Sequence, residues 1–354
     1  MRMNRRERVL TAIDRAEPDR VPVDFSANAD TLARLYADLG CTSHRALLDR
    51  LGVDIVDLRG VVDPVYCGPV PKQRELPGGV VENYWGWRTR RMATAMGVED
   101  SFCEFVLKDC QTVDELAAHR WPQPDWFDFA GFAARLRPWE GRALMASGPS
   151  IFQHPTFLRS IEQMLVDFAA APEMADWLMD RFTSFYEAFF DRMFSAAPGR
   201  IDLMRIADDL GTQHGLLLSP AHFDRFFAPR LRRLIDMAHS HGVKVMLHSC
   251  GAIVPLIERI IGLGVDVLDP IQVAADGMDP AAIKERFGGR ICLHGGIDTQ
   301  HVLPRGTPED VAETARRMMR ILGRGGYILA PSHVLQTDVP TENIVALYDA
   351  AREE

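Results

Sequence analysis

Short apolar segments alternate with longer amphipathic segments along most of the chain. Eight of the apolar segments are typical of strands, and most lack polar alternation, which indicates burial on both faces. The predicted strands are residues 20–25, 54–58, 143–147, 202–207, 244–250, 265–269, 291–295 and 327–332. Strands that alternate with crossover helices form a parallel sheet, and eight such units close a ring. The pattern therefore predicts an α/β fold, a (β/α)8 TIM-type barrel.

The interval between the second and third predicted strands is too long for one crossover. Residues 61–142 contain four prolines between positions 64 and 77, followed by the aromatic residues Tyr84, Trp85 and Trp87. These features predict an inserted β-rich excursion, followed by helices, near the barrel mouth. The aromatic residues either form a local core, which we favour, or cover a pocket. We expect residues 1–354 to form a single barrel domain with this insertion at about 61–142.

Composition narrows the range of functions. The chain has 354 residues, of which 47% are hydrophobic and 25% charged, and its net charge is −9. This acidic balance argues against a nucleic-acid or anionic-membrane surface. No apolar stretch approaches the roughly 20 residues of a membrane span, and the charged N-terminal segment lacks the apolar core of a signal peptide. The six scattered cysteines favour a reducing compartment, so we expect a cytoplasmic protein.

Polar residues and glycines collect at or just after the ends of four predicted strands, at the end where barrel enzymes build their sites. They are Asp208, Asp209 and Gln213; His248 and Cys250; Gly295, Gly296 and Asp298; and His333 and Gln336. Because the carboxyl ends of barrel strands converge on one mouth, we expect these residues to share a single site.

His248 and Cys250 are the strongest candidates for metal ligands. They occupy positions i and i+2 of one strand, so both side chains lie on the same face. Zinc binds imidazole and thiolate readily, and His333 adds a third donor from across the mouth. Three protein ligands leave the fourth zinc position open, which is typical of a catalytic site. On these residues alone, the alternative is a buried free cysteine beside a core histidine.

Asp208 and Asp209 are candidates for acid–base catalysis. If both faced the pocket, repulsion between the two carboxylates would raise the pKa of one of them. We expect instead that they alternate, so that one faces the pocket and the other caps a helix or binds a loop amide. Gln213 is expected either to bind a substrate oxygen or to lie on a helix surface.

Further candidates surround the end of the strand 291–295. Gly295 and Gly296 allow close approach of the backbone at the mouth, and we assign them, with Gln336, to cofactor binding. Asp298 is expected either to orient a ligand histidine or to cap the following helix. His294 is expected to be structural, within the strand.

These candidates lie in longer stretches that resemble the uroporphyrinogen decarboxylase superfamily. The matching stretches are residues 6–10, 18–23, 208–213, 248–251, 294–298, 325–333 and 340–343. The resemblance implies a (β/α)8 barrel with its site at the C-terminal mouth. Uroporphyrinogen decarboxylases themselves carry an arginine-rich segment after the first strand, which holds the carboxylates of the porphyrinogen. Residues 24–30 of this chain contain no arginine, which argues against porphyrinogen decarboxylation.

The chain is more similar to the zinc- and corrinoid-dependent methyltransferase branch of that superfamily. In that branch an H-x-C motif and a later cysteine bind zinc. Here His248 and Cys250 match the motif, and His333 stands in place of the later cysteine. Two imidazoles and one thiolate make zinc a better Lewis acid than two thiolates do, which favours a leaving alkoxide or phenoxide. The sequence lacks the corrinoid-binding pattern D-x-H-x-x-G, so we expect the corrinoid on a separate protein or as free cobamide.

These inferences predict a zinc-dependent methyltransferase that moves a methyl group from a small substrate, preferably an O-methyl compound, to a corrinoid cofactor or corrinoid protein. The alternatives are a methylcobamide:thiol methyltransferase, a decarboxylase or lyase of a small acid that uses Arg205 or Arg59, and a non-catalytic binding protein. The expected partners are the methyl donor or acceptor and a corrinoid protein, with no nucleic acid and no membrane. A homodimer is compatible with the sequence.

Overall fold

Seven parallel strands form the central sheet of the computed structural model, which describes residues 3–94 and 97–353. Their order in the sheet is their order in the chain, and each neighbouring pair is parallel. They are Ile55–Asp57, Ala143–Ser147, Leu203–Ala207, Lys244–His248, Val267–Ile271, Cys292–Ile297 and Tyr327–Pro331. Their order and direction confirm the predicted α/β barrel architecture.

The first predicted strand, residues 20–25, is wrong as a strand. The segment is extended, but it forms only an isolated bridge at Leu329 of strand Tyr327–Pro331, where the Leu329 amide also donates to the Pro22 carbonyl (2.9 Å), and one backbone bond to the residue before strand Ile55–Asp57. The amide of Asp24 donates to the Leu329 carbonyl (3.0 Å), and the amide of Asp54 donates to the Val23 carbonyl (2.9 Å). Pro22 has no N–H to extend the ladder. The segment nevertheless fills the eighth position, because it bridges the last strand to the first.

Helices surround the sheet and connect its strands. The longer ones are Arg5–Ile13, Ala29–Asp38, His44–Leu51, Ile161–Ala170, Pro172–Ala196, Ala228–Ser240, Val254–Gly262, Pro280–Phe287, Pro308–Leu322 and Thr341–Glu353. The shorter ones are Val113–Ala117, Phe132–Arg135, Gln153–Arg159, Pro220–His222, Val302–Arg305, the π-helical turn Phe223–Phe227, and the 3-10 turns Pro77–Gly79, Pro124–Trp126 and Arg137–Trp139. No described helix is both long enough and apolar enough to cross a membrane.

Helix starts follow the local sequence. Asp279 and Thr307 each accept a backbone hydrogen bond as the N-cap of a helix that begins with proline. At Thr307 the contact is reciprocal, because the side chain of Asp310 accepts from the Thr307 amide. These caps fix where the crossover helices begin behind the barrel strands.

A closed apolar layer fills the end of the barrel away from the mouth. Every strand of the sheet contributes to it, and helix Arg5–Ile13 covers it from below with Val9 and Ile13. Cys292 is fully buried in this layer, where burial raises the pKa of its thiol to about 12. The packed layer closes the barrel interior at this end, so space inside the barrel remains only at the carboxyl ends of the strands.

The insertion between strands Ile55–Asp57 and Ala143–Ser147 is β-rich, as predicted. It contains a four-stranded antiparallel sheet made of Gln73–Leu76, Val80–Asn83, Arg88–Thr94 and Gly97–Glu104, and the short pair Val65–Tyr66 with Phe127–Asp128. Trp85 anchors the insertion to the barrel, because its buried ring stacks on Phe182 of helix Pro172–Ala196 at 4.6 Å.

Candidate active site

Three potential metal ligands meet at the barrel mouth. His248 is the last residue of strand Lys244–His248, Cys250 follows two residues later, and His333 lies two residues beyond strand Tyr327–Pro331. One ligand atom from each lies within 4.8 Å of the others, and no other group in the described part of the chain has this arrangement. The Nε2 atom of His248 is 3.4 Å from the sulfur of Cys250. The two strand ends therefore reach each other across the mouth.

The orientation of His248 suits a metal. Its Nδ1 atom lies 2.9 Å from Oδ2 of Asp269, and a carboxylate can only accept. The Arg205 guanidinium also approaches Nδ1 (2.7 Å), but Nδ1 cannot accept from it while donating to Asp269. The ion pair between Arg205 and Asp269 (2.7 Å) keeps that carboxylate charged, so the proton belongs on Nδ1. The lone pair of Nε2 then faces Cys250, as in histidines that bind zinc.

The donor set also needs a positive charge. Burial, together with the carboxylates of Asp209 and Asp269, raises the pKa of the Cys250 thiol well above its ordinary value. A thiolate at this position therefore requires a cation within bonding distance. Two imidazoles and one thiolate fit zinc in a site with one open position.

Asp269 connects two histidines at the centre of the barrel. Its second oxygen, Oδ1, lies 2.8 Å from Nδ1 of His294, and Nε2 of His294 lies 3.2 Å from Oδ2 of Asp24. Burial alone lowers the pKa of His294, but the two carboxylates outweigh it and raise the pKa to about 9. Burial likewise opposes the ionisation of Asp269, but Arg205, His248 and His294 hold its pKa well below the ordinary range. The result is a buried network of alternating charges behind the potential metal ligands.

Asp208 and Asp209 point in different directions. The Asp209 carboxylate accepts from the Cys250 amide (2.9 Å) and from the Gln153 side chain (2.6 Å), and it lies 3.6 Å from Nε2 of His248. Asp208 is buried and accepts from the hydroxyl of Ser150 and from three backbone amides at residues 151–153. Burial raises the pKa of Asp208 to about 6 against those hydrogen bonds. Asp209 is thus the carboxylate beside the potential metal ligands, and Asp208 fixes the start of helix Gln153–Arg159.

Two cavities meet at the ligand cluster. The inner cavity, of about 160 Å³, lies inside the barrel mouth, and charged and titratable side chains line much of it. They are Asp24, Asp57, Arg205, Asp209, His248, Asp269, His294 and His333. The outer cleft, of about 530 Å³, opens towards solvent beside Cys250, Gln300 and Gln336. His333 lines both spaces, so the three ligands stand at the boundary between them.

A third cavity, of about 290 Å³, lies between the insertion and helix Pro172–Ala196. Its wall includes Tyr84, Trp87 and Tyr186, so the predicted aromatic cluster both packs the insertion and lines a pocket. His154 lines it too, hydrogen-bonded to the Tyr186 hydroxyl, and burial lowers the pKa of this histidine to about 3. His154 is adjacent in sequence to Gln153, which faces the inner cavity. The aromatic pocket therefore borders the candidate site.

Four of the predicted candidates make other contacts. The side-chain amide of Gln213 donates to the Ala274 carbonyl, which holds one loop against another. Gly295 and Gly296 line neither the inner cavity nor the outer cleft; both have positive φ (97° and 90°), and a Cβ at Gly295 would lie 2.8 Å from that of Pro270. Their structural role is close packing. The carboxylate of Asp298 accepts from the Gln300 amide (2.8 Å), whereas Asp269 orients His248.

The remaining candidates face the site or its rim. Gln336 lines the outer cleft and accepts a hydrogen bond from the side chain of Asn28 (2.8 Å). His294, expected to be structural, instead lines the inner cavity. Asp24 and Asp269 were not identified from the sequence at all. The available signal was a carboxylate placed in an otherwise apolar strand-like segment, which is costly unless it is paired.

Comparisons with known proteins agree with this architecture. Residues 144–354 match the family described as Uroporphyrinogen decarboxylase (URO-D). The chain is 29% identical over 142 residues to the uroporphyrinogen decarboxylase of Danio rerio, covering 39% of this chain and 37% of that one. It is 23% identical over 141 residues to the methylcobamide:CoM methyltransferase MtbA of Methanosarcina acetivorans, covering 38% of each. The matches thus span less than half the length of these relatives.

Solved structures share the fold over almost the whole chain. A methyltransferase from Methanosarcina mazei is 18% identical, with 99% of both chains covered and a TM-score of 0.67. A B12-independent methionine synthase from Shewanella sp. is 12% identical, with 95% and 94% covered and a TM-score of 0.50. At these identities the likeness concerns the fold alone. Since the family match extends over more than half of the residues, the chain belongs to the uroporphyrinogen decarboxylase (URO-D) family.

Proposed function

We propose that this protein is a zinc-dependent methyltransferase that moves a methyl group between a small substrate and a corrinoid. The observation that carries the proposal is the convergence of His248, Cys250 and His333 within 4.8 Å, between a small inner cavity and an open outer cleft. These three residues would hold a metal next to both spaces and would leave one coordination position free for a substrate. The similarity to the methylcobamide:CoM methyltransferase supports the same class of reaction.

Zinc at this position would supply a Lewis acid to the substrate atom that gains or loses the methyl group. The protein residues then have separate tasks. Asp269 holds the Nδ1 proton of His248 and so keeps the Nε2 lone pair available. Asp209, 3.6 Å from Nε2 of His248, is the carboxylate close enough to exchange a proton with the substrate oxygen or sulfur.

The sizes of the two cavities favour a different cavity for each of the two reactants. The inner cavity of about 160 Å³ suits a small methyl donor or acceptor, and the outer cleft of about 530 Å³ is the side from which a corrinoid can approach. In the demethylation direction the methyl group leaves the ether oxygen without the bonding electrons and bonds to the reduced corrinoid cobalt. The oxygen keeps the electron pair and takes up a proton, which yields an alcohol or phenol. A corrinoid protein is therefore the proposed partner.

Thiol methylation is the main alternative within this reaction class. The relative from Methanosarcina acetivorans is named as a methylcobamide:CoM methyltransferase, which favours a thiol acceptor. The second imidazole at His333 favours an oxygen leaving group, because it makes the metal site less electron-rich than a second thiolate would. We therefore place ether demethylation first and thiol methylation second.

Decarboxylation of a small acid is a second candidate because uroporphyrinogen decarboxylases are among the relatives and Arg205 lines the inner cavity. Arg205 is, however, held by Asp269, and it lies 2.7 Å from Nδ1 of His248. Its charge is therefore already compensated. The inner cavity is also far smaller than a tetrapyrrole, which opposes the porphyrinogen reaction itself.

Three parallel assays on zinc-loaded protein test the proposal, with free cobalamin in place of the unidentified corrinoid protein. A panel of small methyl ethers with reduced cobalamin should give methylcobalamin, followed by its absorbance. Methylcobalamin with 2-mercaptoethanol tests the thiol reaction, and carbon dioxide release from small acids tests decarboxylation. His333→Ala should abolish the methyl transfer, and Cys292→Ser, in the closed apolar layer, should not. Carbon dioxide release without methyl transfer in either direction would contradict the proposal.

A further inference from the structure

A wide cavity lies at the opposite end of the barrel from the ligand cluster. This arginine cleft has a volume of about 780 Å³ and is enclosed by helices Arg5–Ile13 and His44–Leu51 and the turn Arg137–Trp139, with Arg142 just before strand Ala143–Ser147. Six arginines line it, namely Arg5, Arg8, Arg20, Arg45, Arg142 and Arg352. Only three carboxylates line it, Asp19, Asp49 and Glu140. A local excess of positive charge is unusual in a chain whose net charge is −9.

Two of the six arginines are saturated and form the floor of the cleft. Arg8 pairs with Asp19 and Asp54 at 2.7 Å each, and Arg20 pairs with Asp54 at 2.9 Å. Asp54 is completely buried. These pairs hold the N-terminal segment against the start of the first strand, so we assign them to stability.

The wall formed by Arg5, Arg45 and Arg142 has too few carboxylates to balance its charge. Arg5 and Arg142 both donate to the same oxygen of Asp49, at 2.6 Å each, and Arg45 lies 3.9 Å from its other oxygen. Arg142 is buried, and burial together with the charge of Arg5 lowers its pKa to about 10. One carboxylate thus faces three guanidinium groups, each with five N–H donors.

The nearby acidic groups outside this wall do not remove the excess. Glu140 is engaged by Arg200, and Asp349, which pairs with Arg352, also lies 3.7 Å from Arg50. Arg45 and Arg352 keep 59% and 37% of their side chains exposed, so both can turn towards a bound anion. The cleft therefore combines the buried Arg142 and the partly exposed Arg5 with two more exposed arginines, Arg45 and Arg352, at its rim.

We propose that the arginine cleft binds a phosphate-bearing anion, either inorganic or a phosphate ester. A phosphate group carries up to two charges on oxygens that match the fork of a guanidinium, so it can engage several arginines at once. The volume exceeds that of a single phosphate and admits a diphosphate or a nucleotide. The site is independent of the proposed methyl transfer, because it lies at the other end of the barrel. It gives the protein a second ligand, bound where it cannot compete with the methyl substrate.

Calorimetric titration with inorganic pyrophosphate at constant ionic strength tests the proposal. We expect one site per chain, weakened at least tenfold in Arg45→Gln and further in Arg45→Gln combined with Arg352→Gln. Arg290→Gln is the matched control, because that arginine is half-exposed and ion-paired to Glu258 at 2.7 Å outside the cleft lining. Thermal unfolding without anion establishes that each variant is folded, and zinc content should be unchanged in all of them.

Two further arms of the same titration identify the ligand class. ATP binding at least as tightly as pyrophosphate would support a nucleotide-sized ester, and weaker ATP binding would support a small inorganic anion. Malonate binding as tightly as pyrophosphate would contradict the preference for phosphate. No binding of pyrophosphate to folded protein, or equal weakening in Arg290→Gln, would overturn the site.

Discussion

Replacing Asp269 by Asn separates the role of the charge network from the role of the ligands themselves. The carboxylate accepts from Nδ1 of His248 through one oxygen and from Nδ1 of His294 through the other, and it pairs with Arg205. Asparagine has one accepting oxygen and no charge. It can therefore satisfy only one of the two histidines, and it leaves the Arg205 guanidinium without its counter-charge.

Two magnitudes follow from those contacts. Loss of a carboxylate that orients a ligand histidine lowers metal affinity roughly 10- to 100-fold, or about 1.4 to 2.7 kcal/mol. Loss of one partner of a buried ion pair destabilises a fold by about 3 to 5 kcal/mol. We expect the lower end of that range here, because His294 can release its proton and part of the imbalance with it.

The assay is a competition titration of zinc against a chromogenic chelator, together with urea unfolding of the metal-free protein. Asp298→Asn is the matched control, because that carboxylate also lies at the barrel mouth but, within the described part of the chain, accepts only from the nearby Gln300 amide. We expect zinc to bind more weakly to Asp269→Asn than to wild type, and we expect Asp298→Asn to keep the wild-type zinc affinity. Equal zinc affinity in wild type and Asp269→Asn would refute the assignment of Asp269, and a loss in Asp298→Asn alone would favour the alternative carboxylate.

Three further predictions concern neighbouring groups. Asp208→Ala should lower the free energy of unfolding by about 2 to 4 kcal/mol in urea titrations, since four hydrogen bonds disappear, without changing zinc content. Asp209→Asn should lower the kcat of methyl transfer roughly 100-fold, while the zinc content stays close to that of wild type. An unchanged kcat would exclude proton exchange through Asp209. The pKa of His294 is raised from 6.5 to about 9, so the stability that its protonated form contributes to the fold is complete below pH 6.5 and is lost as the pH rises through 9. The free energy of unfolding should therefore fall by at most about 3 kcal/mol over that range, and His294→Gln should flatten this dependence on pH. Parallel pH profiles for wild type and His294→Gln would contradict the role assigned to His294.

The barrel was predictable from the sequence because its strands are continuous apolar segments between amphipathic helices. The exception is the segment at residues 20–25, which has a strand-like composition but only isolated hydrogen bonds to Leu329 and Asp54. The apolar composition of a segment indicates that it is buried, but it does not indicate which strands the segment pairs with. The segment's bridging position depends on contacts more than 300 residues apart in the chain, and local pattern carries no information about them.

The convergence of the three candidate ligands was predictable for a different reason. His248 and Cys250 share a face by their spacing, and the barrel geometry brings His333 to the same mouth. Asp298 was the predicted orienting carboxylate and Asp269 was missed, because the assignment depends on which side chain points inwards at the end of its strand. Asp269 does so from within strand Val267–Ile271, whereas Asp298 turns back to its own loop.

The most direct test of the central claim is the zinc content of protein purified without chelator, measured by mass spectrometry on wild type, Cys250→Ala and His333→Ala. Cys292→Ala is the control, because that thiol lies in the closed apolar layer away from the mouth. We predict about one zinc per chain in wild type and the control, and loss of zinc in both ligand variants. A folded wild type that holds no zinc even after reconstitution, or ligand variants that retain it, would contradict the site and the methyl-transfer mechanism built on it.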